Sequence, residues 1–373
     1  MIVIADDITG AAEIAGIAHS RGMGVRLLCG LPAALPPHGP VDCGAAAVPT
    51  ALTVIATDTR SMTEAEAAAE ITQWGRFRCV IFKKTDSALR GHVVAELAAL
   101  MQASGYRRAV YLPANPSKGR VIRACTYYIY NKPIHETDFR FDPEFPARTS
   151  NLRERFPDAA AHNILMPDAE SLDDIHRAVQ QYNDGHTLFA GAADLFTAML
   201  DALGQPTNLS PTSFTSPTNP TSSTLILCGS TQSQALDIGI ASAPMPRAIY
   251  DGSDDLTLWD TTAYDTTHSL ILTIPHTHRT GKAVAVHLRS VMARMARRLT
   301  DHHRPDHLII EGGATAWATL QSLGWTEFEI VRQIAPGVVQ MRASNGTLVT
   351  LKPGSYPWGD LWSFGSSSNL DKQ

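Results

Sequence analysis

IVIADDITGAAE, residues 2–13, sets two adjacent carboxylates, Asp6 and Asp7, between four apolar residues and an alanine-rich run introduced by Thr9-Gly10. The apolar run reads as a short buried strand and the alanine-rich run as the helix that follows it. The carboxylates therefore fall at the carboxyl end of the first strand, the edge at which open α/β sheets bind their ligands. Acidic groups there bind a cation, accept a proton from a hydroxyl or cap the helix, and this stretch alone leaves the three open.

Outward from this stretch, residues 24–29, 53–56, 79–83 and 109–113 are further short apolar runs, and helix-like stretches such as 64–74 and 93–103 lie between them. That alternation predicts the α/β class, a mostly parallel sheet flanked by helices. Residues 205–223, QPTNLSPTSFTSPTNPTSS, break the pattern with almost no charge and a high content of Pro, Ser and Thr. Such a composition suits a linker, which predicts two domains, 1–210 and 211–373. Beyond it a second series runs through the strand TLILCGS, a strand at 269–274, a helix over 283–298, the strand HLIIEGG, a helix over 314–323 and the β-like GVVQMRASNGTLVTLKPGS.

With 373 residues, 44% of them hydrophobic, the chain carries enough apolar material for two cores. A net charge of −5 with Lys and Arg scattered argues against nucleic acid or an anionic membrane surface and for small-molecule partners. No run approaches the roughly 18 apolar residues of a membrane span, and no basic region precedes the first strand, so a cytoplasmic location is expected. Cys29, Cys43, Cys79, Cys125 and Cys228 are odd in number and include no CxxC pair, from which neither a disulfide nor structural zinc is expected. A homodimer is the default assembly.

Two folds with acidic residues after the first strand fit less well. Haloacid-dehalogenase phosphatases need Asp-x-Asp on one side of the strand end, whereas the adjacent Asp6 and Asp7 are expected on opposite sides. A response-regulator receiver would use Asp58, but it accounts only for the front of the chain, and its terminal Thr and Lys come from two strands rather than one FKKTDS segment. The later strand ends decide. ATDTRS (56–61), KKTDSALRG (83–91) and LPANPSKGR (112–120) each close a strand with a hydroxyl, an acid or amide, and a cation. Gathered at one sheet edge, Arg60, Lys84, Arg90 and Lys118 join the acidic residues in a single polar cleft. Arg suits bidentate carboxylate recognition, Lys suits anionic oxygens, and Asp with Ser suits sugar hydroxyls, so the cleft fits a small polyhydroxy acid.

IADDITGAAE, TDTRS, KKTDSALRG, PANPSKGR with IHETDFRFDPEFP, then CGSTQSQ, GGATA, APGV and LKPGS follow one another along nearly the whole chain. Together they resemble the four-carbon acid sugar kinases, which include D-threonate, D-erythronate and 3-oxo-tetronate kinases. The resemblance implies an N-terminal acid-sugar domain, a C-terminal ATP domain, an active site in the cleft between them, and phosphoryl transfer from ATP to the terminal hydroxyl of a C4 sugar acid. It also implies substrate contacts at Asp7, Arg60, Lys84, Thr85, Asp86 and Ser87, and nucleotide contacts at Ser230, Gly312, Gly313, Ala314, Thr315 and Gly354. The alternative is a relative that binds a sugar acid as a sensor or scavenger through a degenerate nucleotide domain.

The residues of the rear half bear on the nucleotide independently. No GxxxxGK[ST] loop is present, and RGMG near residue 22 falls short of a dinucleotide fingerprint. EGGATAWATL follows the strand HLII and opens a helix, so the N–H groups of 312–315 suit a phosphate at a positive helix end. Phosphoryl transfer needs positioning, charge neutralisation by Mg²⁺ and cations, and an acceptor for the hydroxyl proton. Asp86 or Asp7 is the expected acceptor, with Lys84, Arg90 and Lys352 offsetting charge and the metal ligands left unassigned. His135, Glu136 and Asp138 suit a lid or a plain turn equally, and the histidines of PHTHR (275–279) and DHHRPDH (301–307) are assigned no metal. YPWGDLW after KPGS departs from the family, with Tyr356 and Trp358 where small residues let backbone approach phosphate.

Overall fold

The computed structural model describes residues 1–30, 41–42, 51–142, 144–205, 223–229, 245–250, 255–274 and 281–354. Most of the 205–223 linker, Ser230, the 275–279 histidines, Tyr356 and Trp358 lie outside these residues. The chain divides into two compact units, Met1–Leu209 and Ser210–Gln373.

The first unit is built on strands β1 (Ile2–Ala5), β2 (Gly24–Cys29), β3 (Ala51–Ala56), β4 (Ile81–Lys84), β5 (Arg108–Leu112), β6 (Ile164–Leu165) and β7 (Thr187–Gly191), in the order β6-β5-β7-β4-β1-β3-β2. Every neighbouring pair is parallel. Helices α1 (Ile8–Ser20), α2 (Glu64–Thr72), α3 (Val93–Ser104), α4 (Leu172–Tyr182) and α5 (Ala193–Ala202) connect and cover it. A parallel strand covered on both faces has no solvent side, which is why β1 is apolar and buried throughout. β4 is also fully buried yet ends in two lysines. Alternation sends them to opposite faces: the Lys83 ammonium lies 2.7 Å from Glu96 on α3, and Lys84 turns to Glu13 on α1.

Local chemistry sets the helix starts. The Asp7 carboxylate accepts from the Gly10 N–H at 2.8 Å and caps α1, while Thr63 with Glu66 and Ser171 with Asp174 form reciprocal capping boxes on α2 and α4. Small residues let α1 lie close on the sheet, with Gly10, Ala11, Ala12, Ala15 and Ala18 all buried. Beyond β5, the strands Arg120–Arg123, Thr126–Ile129 and Lys132–Pro133 form a small antiparallel sheet. Cys79 is disulfide-bonded, which corrects the expectation of reduced thiols throughout; Cys29, Cys125 and Cys228 are free. An odd number of cysteines excludes complete pairing, not a single pair.

The second unit carries β8 (Thr224–Cys228), β9 (Arg247–Ile249), β10 (Leu270–Thr273), β11 (His307–Glu311), β12 (Glu327–Ala335), β13 (Val338–Ala343) and β14 (Leu348–Lys352), ordered β12-β13-β14-β11-β8-β10-β9. It is parallel from β14 to β9, and β12, β13 and β14 form an antiparallel meander at the other end. Helices α6 (Lys282–His302) and α7 (Gly313–Leu323) belong to this unit, whose core includes Ile226, Cys228, Ile271, Ile309 and Val338. Among the described residues, no helix is long and apolar enough to cross a membrane.

Candidate functional site

β1 is the strand on which the site turns, because its neighbours β3 and β4 release the chain at the same edge. β1 ends at Ala5, so Asp6 and Asp7 lie past the pleat and do not alternate as strand residues would. Both instead reach Arg60, which follows β3: its Nη2 lies 3.0 Å from Asp6 Oδ2 and its Nη1 3.2 Å from Asp7 Oδ2. The backbone holds this register, with Asp6 N–H donating to the Lys84 carbonyl at 3.3 Å and Arg60 N–H to the Asp6 carbonyl at 3.3 Å. A cap contributes about 1 kcal/mol, while two carboxylates a few ångströms apart repel by on the order of 4 kcal/mol at an effective dielectric of about 20. Capping thus accounts for Asp7, and the guanidinium accounts for the pair.

Their proton affinities diverge. Burial raises the Asp6 pKa, and Arg60 only partly offsets it; the Oδ1 atom of Asp6 is buried without a hydrogen-bond partner. Burial also works to raise the Asp7 pKa, but Arg60, Lys84 and the bonds from Thr9 and Gly10 outweigh it and leave the carboxyl below its ordinary value.

Asp86, one residue past β4 and Thr85, is the most heavily bonded carboxylate. It accepts from the Arg90 Nε and Nη2 at 2.8 Å each, from the Ala88 N–H at 3.0 Å and from the Arg90 N–H at 3.2 Å. Arg60 Nη2 lies 3.7 Å from its Oδ1, the oxygen that also accepts from Arg90 Nη2. Burial opposes ionisation, yet Arg90 and Arg60 hold its pKa well below the carboxylate range. The turn that makes these bonds places Leu89 at φ +63, a conformation unfavourable for a branched side chain. Arg155 stabilises it by donating to the Leu89 carbonyl from Nε at 3.2 Å and Nη2 at 2.9 Å, and the Tyr127 hydroxyl donates to the Ser87 carbonyl.

Lys84 completes the group. Its ammonium donates to the Thr85 carbonyl at 2.9 Å and lies 3.6 Å from Glu13, which also pairs with Lys118. Thr85 Oγ1 is buried and unpartnered beside it. Gly10 has a steric reason to be glycine, since a Cβ there would sit 2.7 Å from Asp7 Oδ1 and 3.1 Å from Lys84 Nζ. The structure therefore brings together Asp7, Arg60, Lys84, Thr85, Asp86, Ser87 and Arg90. Asp6 and Lys118, expected in the same cleft, join them, and the structure adds Glu13 and Arg120, whose Nη1 donates to Ser87 Oγ. Glu13 was hidden because it sits one turn into α1; its signal is the i,i+3 spacing from Gly10 on a helix face that meets the strand end.

In the second unit Gly312, at φ +93, precedes α7, and the Ala316 N–H is bonded back to the Gly312 carbonyl at 2.9 Å. The N–H groups of 313–315 thus form the first turn, which has no intrahelical acceptors. Thr315 is buried and Ala314 exposed. Gly229, after β8, packs so tightly that a Cβ there would meet Thr315 Oγ1 at 2.0 Å. β11 and β14 pair Glu311 with Lys352, and their side chains form a fully buried ion pair at 2.6 Å. Glu311 Oε2 has no partner. Gly354 follows Lys352 and is half-buried. Among the described residues, no group of three or more His, Cys, Asp or Glu is placed to hold a metal ion.

A family model described as a sugar-binding N-terminal domain matches residues 1–201, and one described as a nucleotide-binding C-terminal domain matches residues 229–356. The chain is 32% identical over 160 residues to the D-threonate kinase of Salmonella typhimurium, a match covering 41% of this chain and 35% of that protein. It is 25% identical over 419 residues to the 3-oxo-tetronate kinase of Brucella melitensis, covering 95% and 92% respectively. The alignment with the first of these thus spans about a third of its length, and that with the second nearly all of it. A crystal structure from Salmonella typhimurium, carrying a provisional tRNA-synthase name, superposes with a TM-score of 0.70 at 20% identity over 98% of both chains, a likeness of fold.

Proposed function

The chain belongs to the four-carbon acid sugar kinase family, and on that premise we propose that it transfers the γ-phosphoryl group of ATP to the terminal hydroxyl of a four-carbon sugar acid. The observation that carries this reading is the convergence of Asp6, Asp7, Arg60, Lys84, Asp86 and Arg90 where β1, β3 and β4 end. Carboxylates fixed by guanidinium groups are acceptors for sugar hydroxyls, and the cations around them tolerate an anionic ligand. Asp86 is an orienting group, since a carboxylate held ionised by two arginines has little affinity for a proton. The hydroxyl proton is accepted by the Asp6–Asp7 pair, in which Asp6 is shifted upward. Lys84 offsets charge on the acid or the transferring group.

On the nucleotide side, the first turn of α7 presents N–H groups to phosphate and Lys352 supplies charge. Mg²⁺ enters such sites with one or two carboxylates and the phosphates, keeping several waters. Glu311 does not fit that requirement, being fully buried and paired with Lys352, so the carboxylate that would hold the ion is left unassigned. When bound, the ion neutralises charge on the phosphate oxygens. A coupled ADP-release assay over threonate, erythronate and 3-oxo-tetronate tests the reading. Turnover with at least one acid is expected; acid binding without ADP release would make the chain a binding protein instead.

A further inference from the structure

The cations of the first unit's site differ in what they are already doing. Arg60 faces three carboxylates, Asp6, Asp7 and Asp86. Arg90 spends its fork on Asp86 and lies 3.6 Å from Asp142. Lys84 and Lys118 share Glu13. A ligand carboxylate approaching any of these meets a like charge beside the cation. Arg120 is different: among the described residues no carboxylate lies within ion-pair distance of it, Asp86 being near enough only to feel its charge, and its hydrogen bond is the one Nη1 gives to Ser87 Oγ.

Its setting is built rather than incidental. The residue is part-buried, and its backbone exchanges two hydrogen bonds with Asn115, N–H to carbonyl at 3.2 Å and carbonyl from N–H at 2.8 Å. Asn115 is itself 1% exposed and bonded through Oδ1 to the Asp194 N–H at 3.1 Å. Gly119 immediately before it adopts φ +65, and a Cβ there would strike the Tyr130 ring at 2.5 Å, so the approach of the chain is fixed. The guanidinium lies 5.9 Å from the centroid of Phe139, whose ring also carries Arg90 at 5.8 Å. A ring at that distance gives the planar guanidinium an aromatic contact that favours one orientation of the fork.

We propose that Arg120 receives the carboxylate of the sugar acid, so that it, and not Arg60, sets the requirement for an acid over a neutral polyol. The proposal rests on the sugar-acid reading above and assigns its anionic end. Ser87 Oγ orients one arm of the fork, the remaining N–H groups bind the two carboxylate oxygens, and the hydroxylated chain extends toward Asp86 and the Asp6–Asp7 pair. Arg60 serves as the organiser of the carboxylates that meet the hydroxyls.

Calorimetric titration of the full-length protein with D-threonate, D-erythronate and 3-oxo-tetronate, and with the neutral polyols threitol and erythritol, tests it. Arg120→Met is expected to weaken binding of the preferred acid by roughly 10- to 100-fold, the usual range for hydrogen bonds to a charged group. Polyol binding and the thermal unfolding midpoint should stay unchanged. Arg120→Lys, which keeps the charge without the fork, should recover part of the loss, and Ser87→Ala should weaken the acid alone by a smaller factor. Undiminished acid affinity in a folded Arg120→Met protein overturns the assignment while leaving the kinase reading standing, as does equal weakening of acid and polyol. Failure of the wild-type protein to bind any of the acids overturns both. Should Arg120→Met not fold, the Lys variant decides, since unchanged acid affinity and acid-to-polyol preference in it would exclude a bidentate role.

Discussion

Arg60 sits among three carboxylates whose proton affinities differ, because the burial that prevails at Asp6 is outweighed at Asp7 with help from Lys84, Thr9 and Gly10 and at Asp86 with help from Arg90, and each difference has a measurable consequence. Asp7 is lowered in the folded protein, so it contributes stability that is present above its unfolded value near 3.8 and disappears as the pH falls through the lower folded value. Asp6 is raised and works in the opposite sense: its contribution is complete below the unfolded value and is lost as the pH rises through the folded one. Denaturant titrations from pH 7 into the acid range should therefore show wild type losing its advantage over Asp7→Asn once the pH falls below the unfolded carboxylate value. A gap that stays constant as acid is added would mean that Asp7 is not held ionised. Asp86→Asn acts on geometry more than on proton affinity, because the amide cannot accept from both arms of Arg90 and also from two backbone N–H groups. With Leu89 at φ +63 the turn is poised to relax, and a shift of about 1 Å at a reacting group costs on the order of 100-fold in rate. A loss of that size in turnover is expected, with nucleotide affinity retained, and is read from steady-state kinetics beside an ATP titration.

Strand ends were legible because buried parallel strands must be continuous apolar runs: residues 2–5 and 24–29 match β1 and β2, and the helix expected over 93–103 is α3 with one residue added. The same logic exposed the acidic pair after β1 and the hydroxyl, acid or amide, and cation after β3, β4 and β5. What it could not expose was chemistry contributed sideways. Glu13 lies within an alanine-rich helix and reads as a surface charge, Arg120 begins a strand in a small antiparallel sheet with no clear alternation, and β12 is a polar nine-residue strand, EFEIVRQIA, with register shifts near Ile330 and Gln333. The pair Asp6 and Asp7 was assigned opposite sides by the pleat, but the pleat stops at Ala5. Packing at the second unit's strand ends was likewise invisible, since Gly229 is constrained by Thr315, which lies 86 positions on, at a hypothetical Cβ separation of 2.0 Å. Gly229→Ala should destabilise the protein by about 1–3 kcal/mol through overpacking and weaken nucleotide binding. Adding Thr315→Ala should restore only part, because the Thr315 Cβ would still stand 2.7 Å from the new methyl. Full recovery in the double variant would show that the hydroxyl alone is the constraint.

Each unit repeats one plan, a parallel sheet whose carboxyl edge carries an ion pair and a glycine turn at a helix start, but the two edges are charged differently. The first gathers acids and bases in near balance, Asp6, Asp7, Glu13 and Asp86 against Arg60, Lys84, Arg90 and Lys118, which suits a ligand with both hydroxyls and a charge. The second buries a single Glu311–Lys352 pair beneath a turn of backbone N–H groups, which suits a polyphosphate. If this division of labour is right, the two ligands protect different backbone amides when each is added alone. Ligand at about 100 times its dissociation constant stabilises the state that binds it by about 2.7 kcal/mol, enough to slow exchange roughly 100-fold where opening exposes the site. In hydrogen-exchange mass spectrometry the sugar acid should slow residues 5–10, 57–61, 84–92 and 115–120, whereas Mg·ATP should slow 226–229, 311–316 and 350–354. Protection of the first set by nucleotide alone, or of the second by the acid alone, would mean that the ligands have been given to the wrong sheets, and the proposed acceptor pair at Asp6 and Asp7 would then belong to a different reaction.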